Sequence, residues 1–216
     1  MPRKQYHHGN LREALIKAGL RAVAEDGPDG FSLRGVATRA GVTAPAVYRH
    51  FRDKDELLAA IAAECSERLA ATVADAVACA SDDELGRFRQ IGIAYVKFAV
   101  AHPEHFRVLA LPGLLARLPP EQRAHLEAQR EAQRNALVAA QAAGEIADIP
   151  VDELMLTANA LVYGLAHMIV EGQLGKVDAQ RATELAIAVT GAVGVGFMPR
   201  DKRPGDPMRP APRRKR

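Results

Sequence analysis

Tryptophan is absent from this 216-residue chain, cysteine occurs twice, and aromatic residues make up only 5%. Cys65 and Cys79 alone build neither a disulfide framework nor a zinc site. They stand on what reads as one helix, separated by roughly 21 Å of rise, which also excludes a bridge between them. A reducing, cytoplasmic setting is expected. The first ten residues hold no apolar run, so no secretory signal is expected. The longest uncharged stretch, Leu154 to Val170, has 17 residues and includes Thr157, Asn159 and His167. A spanning helix needs about 20 mainly apolar residues, so this is expected as a core helix and no membrane is implied. Walker loop, G-x-S-x-G elbow and H-E-x-x-H pair are all missing. An enzyme is therefore disfavoured, with no catalytic residue assigned and no cofactor expected. His102 and His105 have ligand-like spacing, but no carboxylate or third His is placed clearly enough beside them and His-Pro at a helix junction is more often structural, so no metal is expected either.

Alternating strand patterns bounded by hairpin turns are missing too, whereas alanine occurs 41 times in a chain 48% hydrophobic and 25% charged. That composition favours a soluble all-α fold, as one domain or two small ones. The formal net charge, +3, conceals an uneven distribution. Residues 1–60 carry +3, residues 61–198 carry −6, and residues 199–216 carry +6. The basic tail has five prolines and almost nothing apolar, so it is expected to be disordered. Its charge serves either extra phosphate contacts or solubility.

Nine helices are expected. Asn10 and Glu13 form a capping box ahead of a stripe of Leu11, Leu15, Ala18 and Ala22, and Gly27-Pro28 stops that helix. Ser32 caps a second helix that ends at Gly41. Thr43 caps a short third with Pro45 in its first turn, and Asp53 with Glu56 opens a long fourth. The fourth carries Leu57, Ile61, Cys65, Leu69, Val73 and Val77 at i,i+4 spacing. Five more are expected near 83–102, 103–111, 121–143, 151–171 and 178–197.

Residues 32–51, SLRGVATRAGVTAPAVYRHF, have the form of a helix-turn-helix, with Gly41 at the reversal and Val42 plugging the angle. Leu33, Val36 and Ala37 then face Val47 and Phe51, leaving Thr43, Ala44, Pro45, Ala46, Tyr48 and Arg49 exposed. Gly41-Val42-Thr43, Val47-Tyr48-Arg49-His50-Phe51 and Lys54-Asp55-Glu56-Leu57 together resemble the signature of the TetR family of bacterial transcriptional regulators. Tyr6-His7-His8-Gly9-Asn10 is similar to one subset of it, as are Tyr95-Val96-Lys97-Phe98 and His102-Pro103. Leu161-Val162-Tyr163-Gly164 departs from the Trp/His-Gly element of that subset. The resemblance implies a DNA-binding domain at 1–55, a helical effector-binding and dimerisation domain at 56–198, and the tail at 199–216.

Within that frame Tyr48, His50 and Lys54 are phosphate-contact candidates, with Arg34 and Arg52 in support. Thr43 and Arg49 are the candidates for base readout, while Ala44, Pro45 and Ala46 offer only thymine-methyl or shape contacts. Arg3 and Lys4 have a minor-groove alternative to plain solvation. The resemblance further implies an effector pocket, with Tyr95, Phe98, His102, Phe106, Met155, Asn159, Tyr163 and His167 as lining candidates or ordinary core. Ala160, Gly164, Ala188, Gly191, Ala192, Val193 and Gly194 suit a close crossing of the last two helices with those of a second copy. The expected function is a homodimeric repressor, released from a palindromic double-stranded DNA operator by a small apolar or amphipathic effector. The alternative is a DNA-binding regulator with no small-molecule effector, acting as an activator or under protein control.

Overall fold

The computed structural model describes residues 8–78 and 83–199; Arg3, Lys4, Cys79 and the tail from residue 200 onward lie outside them. Among the described residues the chain forms nine α-helices and no strand, which is the all-α architecture expected. They are α1 His8–Gly30, α2 Leu33–Ala40, α3 Ala44–Tyr48, α4 Lys54–Ala78 and α5 Glu84–Ala101. Then come α6 Pro103–Leu109, α7 Pro120–Ala142, α8 Val151–Val170 and α9 Ala179–Phe197, with a 3-10 turn at Leu115–Arg117 before α7.

The ends of these helices follow local chemistry. Gly27, at φ 74° and ψ 172°, breaks α1 as expected, but a last turn resumes after Pro28 and carries the helix to Gly30. Ser32 Oγ accepts from Gly35 N at 3.1 Å and caps α2. Asp178 does the same for α9, accepting from Arg181 N at 2.8 Å. At α4 only half of the expected capping box forms: Glu56 N donates to Asp53 Oδ1 at 2.8 Å. The Glu56 carboxylate reaches one residue further back, accepting from Arg52 N at 2.8 Å and Arg52 Nε at 3.0 Å. These bonds hold Glu56 below the usual carboxylate range.

The chain divides into two compact units. One takes the chain up to Ala71 together with His102–Glu127; the other takes Thr72–Ala101 and the chain from Ala128 onward. In the first, α1 packs on α2 and α6, and α2 on α3. Its core joins Leu15, Val36, Val47, Phe51, Leu57 and Ile61, all nearly inaccessible, to Val108, Leu114 and Leu118. Burial along the α4 stripe is complete at Leu57, Ile61 and Cys65 and fades to half at Leu69, Val73 and Val77. The Cys65 thiol is pushed up to about 12 by burial, so it stays protonated and inert at neutral pH.

In the second unit α5 packs against α8 and α9, which also pack on each other. The core here includes Leu137, Ile146, Leu154, Met155 and Phe197. Gly92 is where α5 comes close to both partners: a Cβ there would lie 3.0 Å from Val162 Cγ2 and 3.2 Å from Thr190 Cγ2. The loop after α7 is tied down by Gln141, whose Nε2 donates to Ala147 O at 2.8 Å, and by Ala147 N donating to Phe197 O at 2.8 Å.

Candidate nucleic-acid interface and a cavity in the helical body

The turn between α2 and α3 is fixed by backbone bonds. Gly41 adopts φ 69°, a left-handed conformation that favours glycine. Val42 N then donates to Ala37 O at 3.0 Å and Gly41 N to Thr38 O at 3.1 Å, the paired bonds of a Schellman motif. Gly41→Ala puts a Cβ into that conformation, and the expected cost is about 1–2 kcal/mol. A urea melt of the variant checks this through a lower midpoint at unchanged slope.

This turn sets α3 against the core by Ala46 and Val47 and leaves the rest of its surface open. Tyr48 is 51% exposed, Thr43, Pro45 and Arg49 are exposed, and Ala44 and His50 are half-buried. Ala46 corrects the sequence reading: it is buried, because α3 has only five residues and needs two of them to hold the core. The Thr43 hydroxyl makes no capping bond, also against expectation; a backbone bond, Ala46 N to Thr43 O at 2.9 Å, closes the first turn instead.

Ion pairing sorts the nearby cations. Arg39 is held by Glu25 at 2.6 Å and Asp26 at 3.2 Å, and Arg52 by Glu56. Arg12 lies over the Phe51 ring, 5.3 Å from its centroid. The Lys54 ammonium donates to Asp29 O at 3.0 Å and sits 4.9 Å from the centre of the Phe31 ring. Arg34 and Arg49 are exposed and have no ion-pair partner among the described residues. Arg52 is paired locally, at i,i+4, but the pairing of Arg39 depends on carboxylates thirteen and fourteen residues back, which motif position alone does not reveal.

The second unit holds a cavity of about 450 Å³ between α5, α8 and α9, its wall almost wholly apolar. Of the eight lining candidates, Tyr95, Asn159 and Tyr163 stand on it. Burial, with a smaller effect from Tyr163, pushes the Tyr95 phenol up to about 12, so it stays protonated. The other five stand elsewhere. Phe98, Phe106 and Met155 are buried core. His102 and His105 belong to the first unit, their rings edge to face at 5.4 Å. Burial and the nearby Arg68 lower both, His105 to about 4, so neither carries charge at neutral pH. His167 is exposed and stacks on Tyr163, the two centroids 6.1 Å apart. Arg89, which the sequence reading passed over, lies on the wall.

A helix-turn-helix with open cations, joined to a helical unit whose helices line a partly open apolar cavity, defines a helix-turn-helix regulator. The chain belongs to the TetR family of bacterial regulatory proteins. Residues 15–61 match the model for bacterial regulatory proteins of the tetR family, and residues 88–191 match the tetracyclin repressor-like C-terminal domain. Over 66 residues the chain is 33% identical to the HTH-type transcriptional repressor AcnR of Corynebacterium efficiens, covering 31% of this chain and 35% of that protein. Over 62 residues it is 39% identical to the HTH-type nicotine-responsive transcriptional repressor HdnoR of Paenarthrobacter nicotinovorans, covering 29% and 32%. The chain thus matches about a third of the length of these curated relatives. The solved structure of a protein of unknown function from Rhodococcus sp. RHA1 superposes with a TM-score of 0.69 at 31% identity, covering 91% of this chain and all of that one.

Proposed function

We propose that the protein is a cytoplasmic, homodimeric transcriptional repressor that a small apolar or amphipathic effector releases from a palindromic operator. The observation that carries this is the surface of α3: Thr43, Tyr48 and Arg49 exposed together on a helix that the Gly41 turn fixes in place. In this reading residues 1–55 are the DNA-binding domain and residues 56–198 the effector-binding and dimerisation domain. Tyr48, His50 and Arg34 contact phosphates, while Thr43 and Arg49 meet base edges in the major groove. Lys54 keeps two N–H groups for a phosphate while Asp29 accepts the third. Ala44 and Pro45 offer only methyl or shape contacts.

Dimerisation is proposed through α8 and α9. Leu156 is 70% exposed, and Ala160, Tyr163 and His167 follow it at i+4, i+7 and i+11, with Ile187 of α9 48% exposed. By length and composition α8 is also apolar enough to cross a membrane, but it packs on α5 and α9 in this unit. A second copy explains its exposed apolar face more simply. The effector reading is favoured over regulation without an effector by the cavity, whose size falls in the range of roughly 300–1,000 Å³ usual for small-molecule sites. Asn159, Leu161 and Tyr163 border the cavity and are exposed on α8 as well. An occupant can therefore favour one arrangement of the paired α8 helices and shift the spacing of the reading heads.

The test is footprinting on the DNA upstream of the protein's own gene, alongside random duplex at matched salt. A protected palindromic site, bound at least ~10³-fold more tightly than random DNA, is expected. Equal affinity for both would refute the operator model.

A further inference from the structure

Among the described residues the cavity wall carries one charged side chain, and that charge has no counter-ion there. Among the eighteen residues on the wall, Arg89 is the only one with a charge, and it makes no ion pair with any described residue. Its Nε is buried and has no hydrogen-bond partner. A guanidinium nitrogen taken from water and left without an acceptor is costly, and structures seldom keep one without reason.

The surrounding structure makes room for this group. A Cβ at Gly194 would lie 3.3 Å from Arg89 Cδ, and one at Gly191 would lie 3.4 Å from Arg89 Nη2. Gly194 thus lets the arginine lie close along α9, while at Gly191 an added Cβ would only touch it. Gly194 is buried inside the unit and faces a side chain of its own chain. Most of the wall is hydrocarbon, with Leu85, Phe88, Val193 and Phe197 among its residues and Gln133 and Thr190 as further polar ones. A planar fork of N–H donors beside an apolar chamber matches a carboxylate carrying a hydrophobic tail.

We infer that the cavity takes an amphipathic monocarboxylate, its tail against the apolar wall and its head group held by the Arg89 guanidinium. The inference rests on the effector cavity proposed above and names the chemical class it accepts. The protonated Tyr95 phenol and the Asn159 amide are further donors on the same wall. The apolar wall selects for the tail and Arg89 selects for the charge.

The experiment uses the full-length protein and three ten-carbon probes: decanoate, decanol and decyltrimethylammonium. Calorimetry is expected to give decanoate at least ~10-fold tighter than decanol, as suits one charge-assisted contact, with the cation weakest. In Arg89→Gln that preference vanishes and decanoate falls to the level of decanol, whereas Arg89→Lys keeps part of it. Decanol binding to Arg89→Gln shows that the cavity still forms. Three outcomes would overturn the inference: no probe binds, decanoate shows no preference over decanol, or the preference survives in Arg89→Gln. A loss of dimer mass in Arg89→Gln without any carboxylate preference would instead give the arginine's counter-ion to the second copy, and that also overturns it. Gel shifts on the footprinted site separate this inference from the broader reading. Release of DNA by decanol and decanoate alike leaves the ligand-responsive repressor standing and sinks the role of Arg89. Tight, charge-selective binding without release does the reverse.

Discussion

Arg49→Ala is expected to abolish most of the protein's preference for its operator over random DNA. Arg49 is exposed and without a carboxylate partner among the described residues, so its guanidinium is available for the two acceptors of a guanine edge. Such a contact contributes about 1–3 kcal/mol to discrimination, and a two-fold symmetric dimer makes it twice. The specificity ratio should therefore fall by roughly 30-fold to 2 × 10⁴-fold. Tyr48→Phe makes an informative companion. It deletes one hydroxyl and no charge, so operator and random duplex should weaken together, by about fivefold or more, with an unchanged salt slope. Both side chains are exposed, and neither substitution should move the thermal midpoint appreciably. Titrations of each variant against both duplexes at several salt concentrations decide the matter. If Arg49→Ala kept its full discrimination and lost only salt slope, Arg49 would be a phosphate contact, and readout would rest on Thr43 and DNA shape.

The helix-turn-helix was legible because every signal that builds it is local. Ser32, Gly41 and the apolar spacing of Leu33, Val36, Val47 and Phe51 act within a few residues of one another, and the structure places them as the pattern requires. What lay beyond local reach was the electrostatics. Arg34, Arg39 and Arg49 look alike along the chain, whereas Arg52 has Glu56 four residues on. Only the fold brings Glu25 and Asp26 to Arg39, and so leaves Arg34 and Arg49 as the open cations. The packing of α6 onto α1, helices some eighty residues apart, escaped periodicity for the same reason.

The cavity was harder to read, for a related reason. Helical spacing shows that a face is apolar, not whether atoms or empty space lie beyond it. Phe98, Phe106 and Met155 therefore looked the same as Tyr95 and Tyr163, yet the first three fill core and the other two border the cavity. Arg89 was missed because an arginine on an amphipathic helix ordinarily points to water. One signal did exist: it is a lone charge next to the Leu85, Phe88 and Gly92 line of α5, and α9 repeats glycine at 191 and 194.

Leu156→Glu combined with Ile187→Glu is expected to convert a dimer into single chains of 23.2 kDa and to take high-affinity operator binding with it. In a lone chain both positions are well exposed, so the carboxylates there stay hydrated and the fold tolerates them. In a two-fold pairing through α8 and α9 each substitution occurs twice, and four carboxylates would enter an apolar contact without partners. Burying even one unpaired charge costs several kcal/mol, more than such an interface can absorb four times. The consequence for DNA follows from linkage. Two heads on one dimer bind the second half-site at an effective concentration in the millimolar range, so separating them weakens binding by about 10²–10⁴-fold. Each detached head retains Thr43, Tyr48 and Arg49 and should still bind a half-site weakly, with about half the salt slope of the dimer. Light scattering on the eluting protein and titration against full and half operators read both effects. A double variant that remained dimeric and held its operator would place the subunit contact on another surface, and α8 would then need a different explanation for its exposed leucine.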